Sequence, residues 1–86
     1  MTGHATGGGE PLTVGVLGLG HVGLPTALGF ADLGWHVVGA DEDAPKAARI
    51  SKGKPPFFEP GLQELLDTHI DSGRFRVAPD VPTAVS

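Results

Sequence analysis

Between a short apolar run, Thr13–Leu17 (TVGVL), and a stretch with apolar residues at helical spacing stands Gly18-Leu19-Gly20-His21-Val22-Gly23. In a chain with fourteen glycines that spacing alone is a weak signal, and what stands on either side of it makes it a strong one. A Val-rich run of five residues suits a strand buried on both faces. After the loop, Leu24, Ala27, Leu28 and Ala31 mark one face of a helix, and Gly34 is placed to stop it. Pro25 fits only in the first turn, where its missing N–H is not needed. The helix therefore has to begin on the glycine loop itself. Strand, glycine turn and helix in this order form a cradle for an anion. The first glycine turns the chain out of the strand, the second lets the ligand approach bare backbone, and the third lets helix and strand pack closely. The free N–H groups and positive dipole end of the helix then face the anion.

The next segment says which anion. Trp35–Ala40 (WHVVGA) reads as a second strand, and Asp41 follows it, eighteen residues after Gly23. An acid at the end of the second strand is placed to accept hydrogen bonds from adenosine ribose hydroxyls. A 2′-phosphate at that position would meet negative charge, so the expected cofactor is NAD in preference to NADP. Asp43 has a sufficient role as a helix cap, and His21 is read as facing solvent or covering the cofactor. His36 and His69 are expected to be packing residues, as are Phe30 and Trp35, while Phe57 and Phe58 are read as covering an end of the sheet, with a partner surface as the alternative.

Farther along, Ala44–Ser51 is expected to be a short helix capped by Asp43 and ended near Gly53. Lys54–Pro60 (KPPFFEP) is an irregular connection. A helix is predicted over Gly61–Asp71, where Leu62, Leu65, Leu66, His69 and Ile70 form an apolar stripe. Burying its three leucines and isoleucine would contribute about 6–12 kcal/mol in area terms before entropy is subtracted. Arg74–Ala78 (RFRVA) alternates as a third strand with one open face, and Asp80 is placed to cap a last helix from Val81. The order β-α-β-α-α-β-α implies right-handed crossovers and a parallel sheet. Residues 1–11 (MTGHATGGGEP) read as a flexible Gly-rich tail, and 12–86 as a single unit.

Charge and composition exclude some alternatives. Ten acids against six bases give a net charge of −4, the wrong sign for a nucleic-acid or anionic-membrane partner. The 86 residues contain no cysteine, which rules out disulfides and thiolate metal sites among them, and no metal ligand set is expected. The apolar stretch Val14–Ala31 approaches membrane-span length, but five glycines, Pro25 and His21 interrupt it, and the first Lys or Arg is Lys46. A cytoplasmic location is expected.

The stretch VGVLGLGHVGLPTALGFADLGWHVVGADED, with GKPPFFEPGLQELL and SGRFRVAPD after it, resembles the N-terminus of the UDP-glucose/GDP-mannose dehydrogenase family. GLGHVGLPTA is similar to the opening of the UDP-N-acetylmannosamine type, which usually has Tyr where His21 stands. Gly53-Lys54-x-Pro56-x-x-Glu59-Pro60-Gly61-Leu62 is closer to the UDP-glucose type, and it argues against other Rossmann oxidoreductases. The resemblance implies NAD contacts from Gly18, Leu19, Gly20, His21, Val22, Gly23 and Asp41. It adds Lys46 as a cation for the adenosine-side phosphate, with a solvated helix lysine as the alternative. Lys54 and Glu59 match family positions without an evident chemical role. Family members oxidise a sugar C6 alcohol to a carboxylate with two NAD, through a covalent intermediate on a downstream cysteine.

The expectation is thus a partial Rossmann fold of the α/β class: a three-stranded parallel sheet with flanking helices, truncated before a fourth strand. It would be the NAD-binding portion of a nucleotide-sugar 6-dehydrogenase, with no catalytic residue of its own and a nucleotide sugar bound only in a full-length parent. The alternative is a non-catalytic nucleotide-binding or interaction module. A sheet with an open edge and a partly naked face is expected to be weakly stable or to self-associate.

Overall fold

A computed structural model of the chain describes residues 13–79. Its elements are β1 (Thr13–Leu17), α1 (Gly23–Asp32), β2 (His36–Ala40), α2 (Ala44–Ser51), α3 (Leu62–Ser72) and β3 (Phe75–Val77). The three strands form one parallel sheet in the order β1-β2-β3. The N-terminal tail and the helix expected from Val81, with Asp80 as its cap, lie outside the described residues.

Register divides the sheet into two unlike faces. Val14 pairs with Val37 and Val37 with Phe75, while Val16 pairs with Gly39 and Gly39 with Val77. Side chains of paired residues share a face. These line the main core, where Leu24, Ala27, Leu28 and Ala31 of α1 meet Leu62 and Leu66 of α3, with Val37, Ile50 and Phe75. The opposite face carries a small cluster of Val38, Ala40 and Ala78. Beside it, β1 is bare: Thr13, Gly15 and Leu17 are all exposed. The expectation of burial on both faces fails for β1, and it is β2 that is buried on both, at Val37, Val38, Gly39 and Ala40. The reason is position, since β2 has a strand on each side and β1 is an outer strand among the described residues.

The helices follow their signals closely. α1 starts on the glycine loop with Pro25 in its first turn, and its four expected apolar residues are all buried. Asp43 caps α2 by accepting from the Lys46 N–H at 3.1 Å. α3 begins one residue later than predicted, with Gly61 at its N-cap, and Gly73 ends it. Leu62 and Leu66 are buried but Leu65 is exposed. Two fully packed leucines then contribute about 3–6 kcal/mol, less than the stripe suggested. Trp35 falls just outside β2 and, half-buried, stacks on Phe30 at 5.2 Å between ring centroids. His36 is exposed, contrary to the packing role expected of it. His69 is buried as expected, with Nε2 3.1 Å from Asp32 Oδ1 at the far end of α1.

Candidate functional site

The glycine loop leaves β1 by the turn that its first glycine allows. Gly18 has φ +88°, a conformation that L side chains rarely adopt, and its N–H donates to Ala40 O at 2.8 Å. Leu19 then plunges into the core and is fully buried. Its landing place is Gly39 of β2: a Cβ built there would stand 2.9 Å from Leu19 Cδ2 and 3.1 Å from Phe75 Cε1. At the end of the loop, a Cβ on Gly23 would be driven into the carbonyl oxygen of Gly18, so helix and turn can touch only through a glycine. Gly20 differs, because a Cβ there would meet nothing within 4 Å.

The helix that follows is open at its N-terminus. Val22, the N-cap, offers no side-chain hydrogen bond, and the first turn of α1 holds no acid. Leu24 N–H donates to Gly20 O and Thr26 N–H to Val22 O. The N–H groups of Gly20, His21 and Val22 donate to no acceptor among the described residues. Three unpartnered donors at a helix N-terminus, over a glycine with free space in front of it, are chemically suited to phosphate oxygens.

Asp41 stands beside this loop and is tied to it. Its Oδ2 accepts from Leu19 N–H at 2.7 Å and lies 2.7 Å from Lys46 Nζ, while Oδ1 accepts from Asp43 N–H at 2.8 Å. The side chain is only 9% exposed. Burial pushes the carboxyl upward. The hydrogen bond from Lys46, the two backbone donors and the Lys46 charge outweigh that push and hold it below its ordinary value. A carboxylate has about four acceptor positions, so Oδ1 retains capacity for a hydroxyl donor. A depression of about 300 Å³ lined by Leu17, Gly18, Asp41 and Glu42 opens next to it.

The residues assigned to the cofactor site, Gly18–Gly23, Asp41 and Lys46, thus meet at the ends of β1 and β2. Lys46 is drawn in as the partner of Asp41, half-buried instead of solvated. Several contributors escaped the sequence reading. Gly39 receives Leu19. Phe57, from the α2–α3 connection, stacks on His21 with centroids 4.1 Å apart and planes at 19°. Gln63 ties the connection to α3 by donating to Gly53 O at 2.8 Å and Asp67 Oδ1 at 2.9 Å. Glu59 takes part through its backbone, accepting from Leu62 N–H at 3.1 Å, whereas Lys54 and Phe58 are exposed. Among the described residues no three His, Cys, Asp or Glu side chains are grouped to hold a metal ion. No helix among them is long and apolar enough to cross a membrane.

Comparison with known proteins gives the same picture. The family model described as the NAD binding domain of the UDP-glucose/GDP-mannose dehydrogenase family matches residues 12–86. A UDP-glucose 6-dehydrogenase of Rhizobium meliloti is 40% identical over 75 residues, which is 87% of this chain and 17% of that protein. A GDP-mannose 6-dehydrogenase of Azotobacter vinelandii is 40% identical over 74 residues, 86% of this chain and again 17% of the relative. The solved structure of a UDP-glucose dehydrogenase from the archaeon Pyrobaculum islandicum superposes with a TM-score of 0.86 at 41% identity, covering 96% of this chain and 19% of that one. The chain therefore spans about 17% of the length of these curated relatives.

Proposed function

The chain belongs to the UDP-glucose/GDP-mannose dehydrogenase family, matched over its NAD binding domain, and from that membership we propose that it is the cofactor-holding N-terminal portion of a nucleotide-sugar 6-dehydrogenase. The Gly18–Gly23 loop takes the pyrophosphate through the N–H groups of Gly20, His21 and Val22, with Leu19 fixing the loop to the core. Asp41 accepts the adenosine ribose hydroxyls. Lys46 serves the site through Asp41, keeping it ionised and oriented. The observation that carries this reading is the N–H groups of Gly20, His21 and Val22, unpartnered among the described residues, beside an acid already wired to the same loop.

When bound, NAD supplies the hydride acceptor for oxidation of a sugar C6 alcohol to the carboxylate. The residues described here bind and orient its adenosine diphosphate half. The nucleotide sugar belongs to the full-length enzyme, the setting is cytoplasmic, and the chain alone associates through its incomplete sheet.

Calorimetric titration with NAD⁺ and NADP⁺ tests the proposal. NAD⁺ should bind more tightly, and Asp41→Ala should lose both affinity and preference. Lys46→Ala leaves the carboxylate without its counter-ion, so discrimination against the 2′-phosphate should widen by about 3- to 10-fold, as for a partly screened charge contact. Equal or better binding of NADP⁺ by the wild-type chain would sink the assignment of Asp41.

A further inference from the structure

The glycine loop is held unevenly. Gly18 is tied to Ala40, Leu19 to Asp41 and the core, and Gly23 is wedged against Gly18. Its middle, Gly20 to Val22, is where the unpartnered N–H groups stand, and both His21 and Val22 are exposed. Among the described residues the aromatic contact to this middle comes from Phe57, thirty-six positions along the chain. Phe57 is itself half-buried and packed against the main core. Its segment is anchored at its start, by Lys54 N–H to Arg49 O at 2.9 Å and by Gln63 Nε2 to Gly53 O, and at its end by Leu62 N–H to Glu59 O at 3.1 Å. A ring fixed to the core is thus laid at 4.1 Å on the ring that the loop presents.

We infer that Phe57 is a positioning residue for the pyrophosphate loop: by stacking on His21 it holds the loop's middle in the shape that aims the Gly20, His21 and Val22 N–H groups outward. The inference rests on the NAD reading of the same loop. Its physical content is preorganisation. Without the stack the middle of the loop gains conformations, and the ligand has to select the one in which the donors converge. An aromatic pair of this geometry is expected to change pyrophosphate affinity by about 2- to 10-fold. His21 acts here as a flat ring, so tyrosine, which has one too, should replace it.

The test is a double-mutant cycle on cofactor affinity in the whole chain, with wild type, Phe57→Ala, His21→Ala, the double variant and His21→Tyr. Each alanine variant should bind NAD⁺ about 2- to 10-fold more weakly, and the double variant no more weakly than the worse single. His21→Tyr should bind within about twofold of wild type, as an aromatic pair retained would require. NADP⁺ should weaken by the same factor as NAD⁺ in Phe57→Ala, because both carry the pyrophosphate, whereas Asp41→Ala should alter the ratio between them. A general loss of fold would not spare that ratio and be rescued by tyrosine. Unchanged affinity in Phe57→Ala, or independent effects that multiply in the double variant, would overturn the inference and leave the NAD reading intact. A wild-type chain that binds no NAD⁺ would overturn both. Proton NMR separates the geometry from the binding: His21 ring protons should be shifted upfield by the Phe57 ring and return on Phe57→Ala, and no change there overturns the stack itself.

Discussion

The two ends of the glycine loop obey different constraints. At the buried end, Gly18, Leu19 and Gly23 are dictated by this chain's own atoms: a left-handed turn, a leucine seated over Gly39, and a carbonyl that leaves no room for a Cβ. At the open end, Gly20 has empty space in front of it and, with His21 and Val22, offers N–H groups that nothing in the described chain accepts. One motif therefore contains two kinds of glycine, one required by the fold and one that the fold does not need. The second kind makes sense only beside a ligand. Substitutions should separate the two.

Gly23→Ala should have the largest effect. The added methyl group overlaps the Gly18 carbonyl, and relief requires β1 and α1 to move apart. Backbone displacement in a packed core costs about 1–3 kcal/mol and occasionally more. A domain of this size has little stability to lose. The expected result is a chain without a cooperative urea transition at 25 °C. A wild-type midpoint would mean that the contact between turn and helix is not what the third glycine is for.

Asp41 belongs to both ends, and its replacement tests how firmly they are joined. Asp41→Ala leaves the Leu19 N–H without its acceptor and should cost about 1–3 kcal/mol. The pH dependence has a definite sign. The folded carboxyl is held below its ordinary value, so its contribution is complete above the usual carboxylate pKa of about 4 and is lost as pH falls through the lower folded value. Wild type and Asp41→Ala should therefore differ most near neutral pH and converge in acid. Parallel stability curves down to pH 2 would show that the carboxylate does not brace the loop.

This division explains what the sequence disclosed. Strand, loop, helix and acid were legible because each is a local pattern: a glycine spacing, a proline in the first turn, an apolar period of 3.6, an acid after a valine-rich run. Asp43 as a cap and Gly34 as a stop were legible for the same reason. What stayed hidden depends on residues far apart. Nothing near Gly39 announces that Leu19 and Phe75 will crowd it, and nothing near His21 announces Phe57. The bare face of β1 was misread because a run such as TVGVL looks alike in an outer and a central strand. Leu65 was misread because a helical stripe of leucines does not reveal how wide a face its neighbours cover. The role of Asp41 was only half legible: its position pointed to ribose, while its hold on Leu19 and Lys46 emerges only when the loop is folded over it.

Gly20→Ala should disturb the fold least and sharpens the comparison most. Its backbone is not in the left-handed region, so alanine is conformationally allowed, and the new methyl group meets no atom of the described residues within 4 Å. The unfolded chain loses freedom when glycine becomes alanine, so stability should stay level or rise by about 0.4–1 kcal/mol. The same methyl group would stand where a pyrophosphate has to approach the backbone, so NAD⁺ affinity should fall by about 10-fold or more, as expected when close hydrogen bonds to a charged ligand are lengthened or lost. Stability and affinity would then move in opposite directions in a single variant, which neither a damaged fold nor a neutral surface change produces. If Gly20→Ala bound NAD⁺ as well as the wild type does, the open end of the loop would not be a pyrophosphate site, and its unpartnered N–H groups would need another ligand.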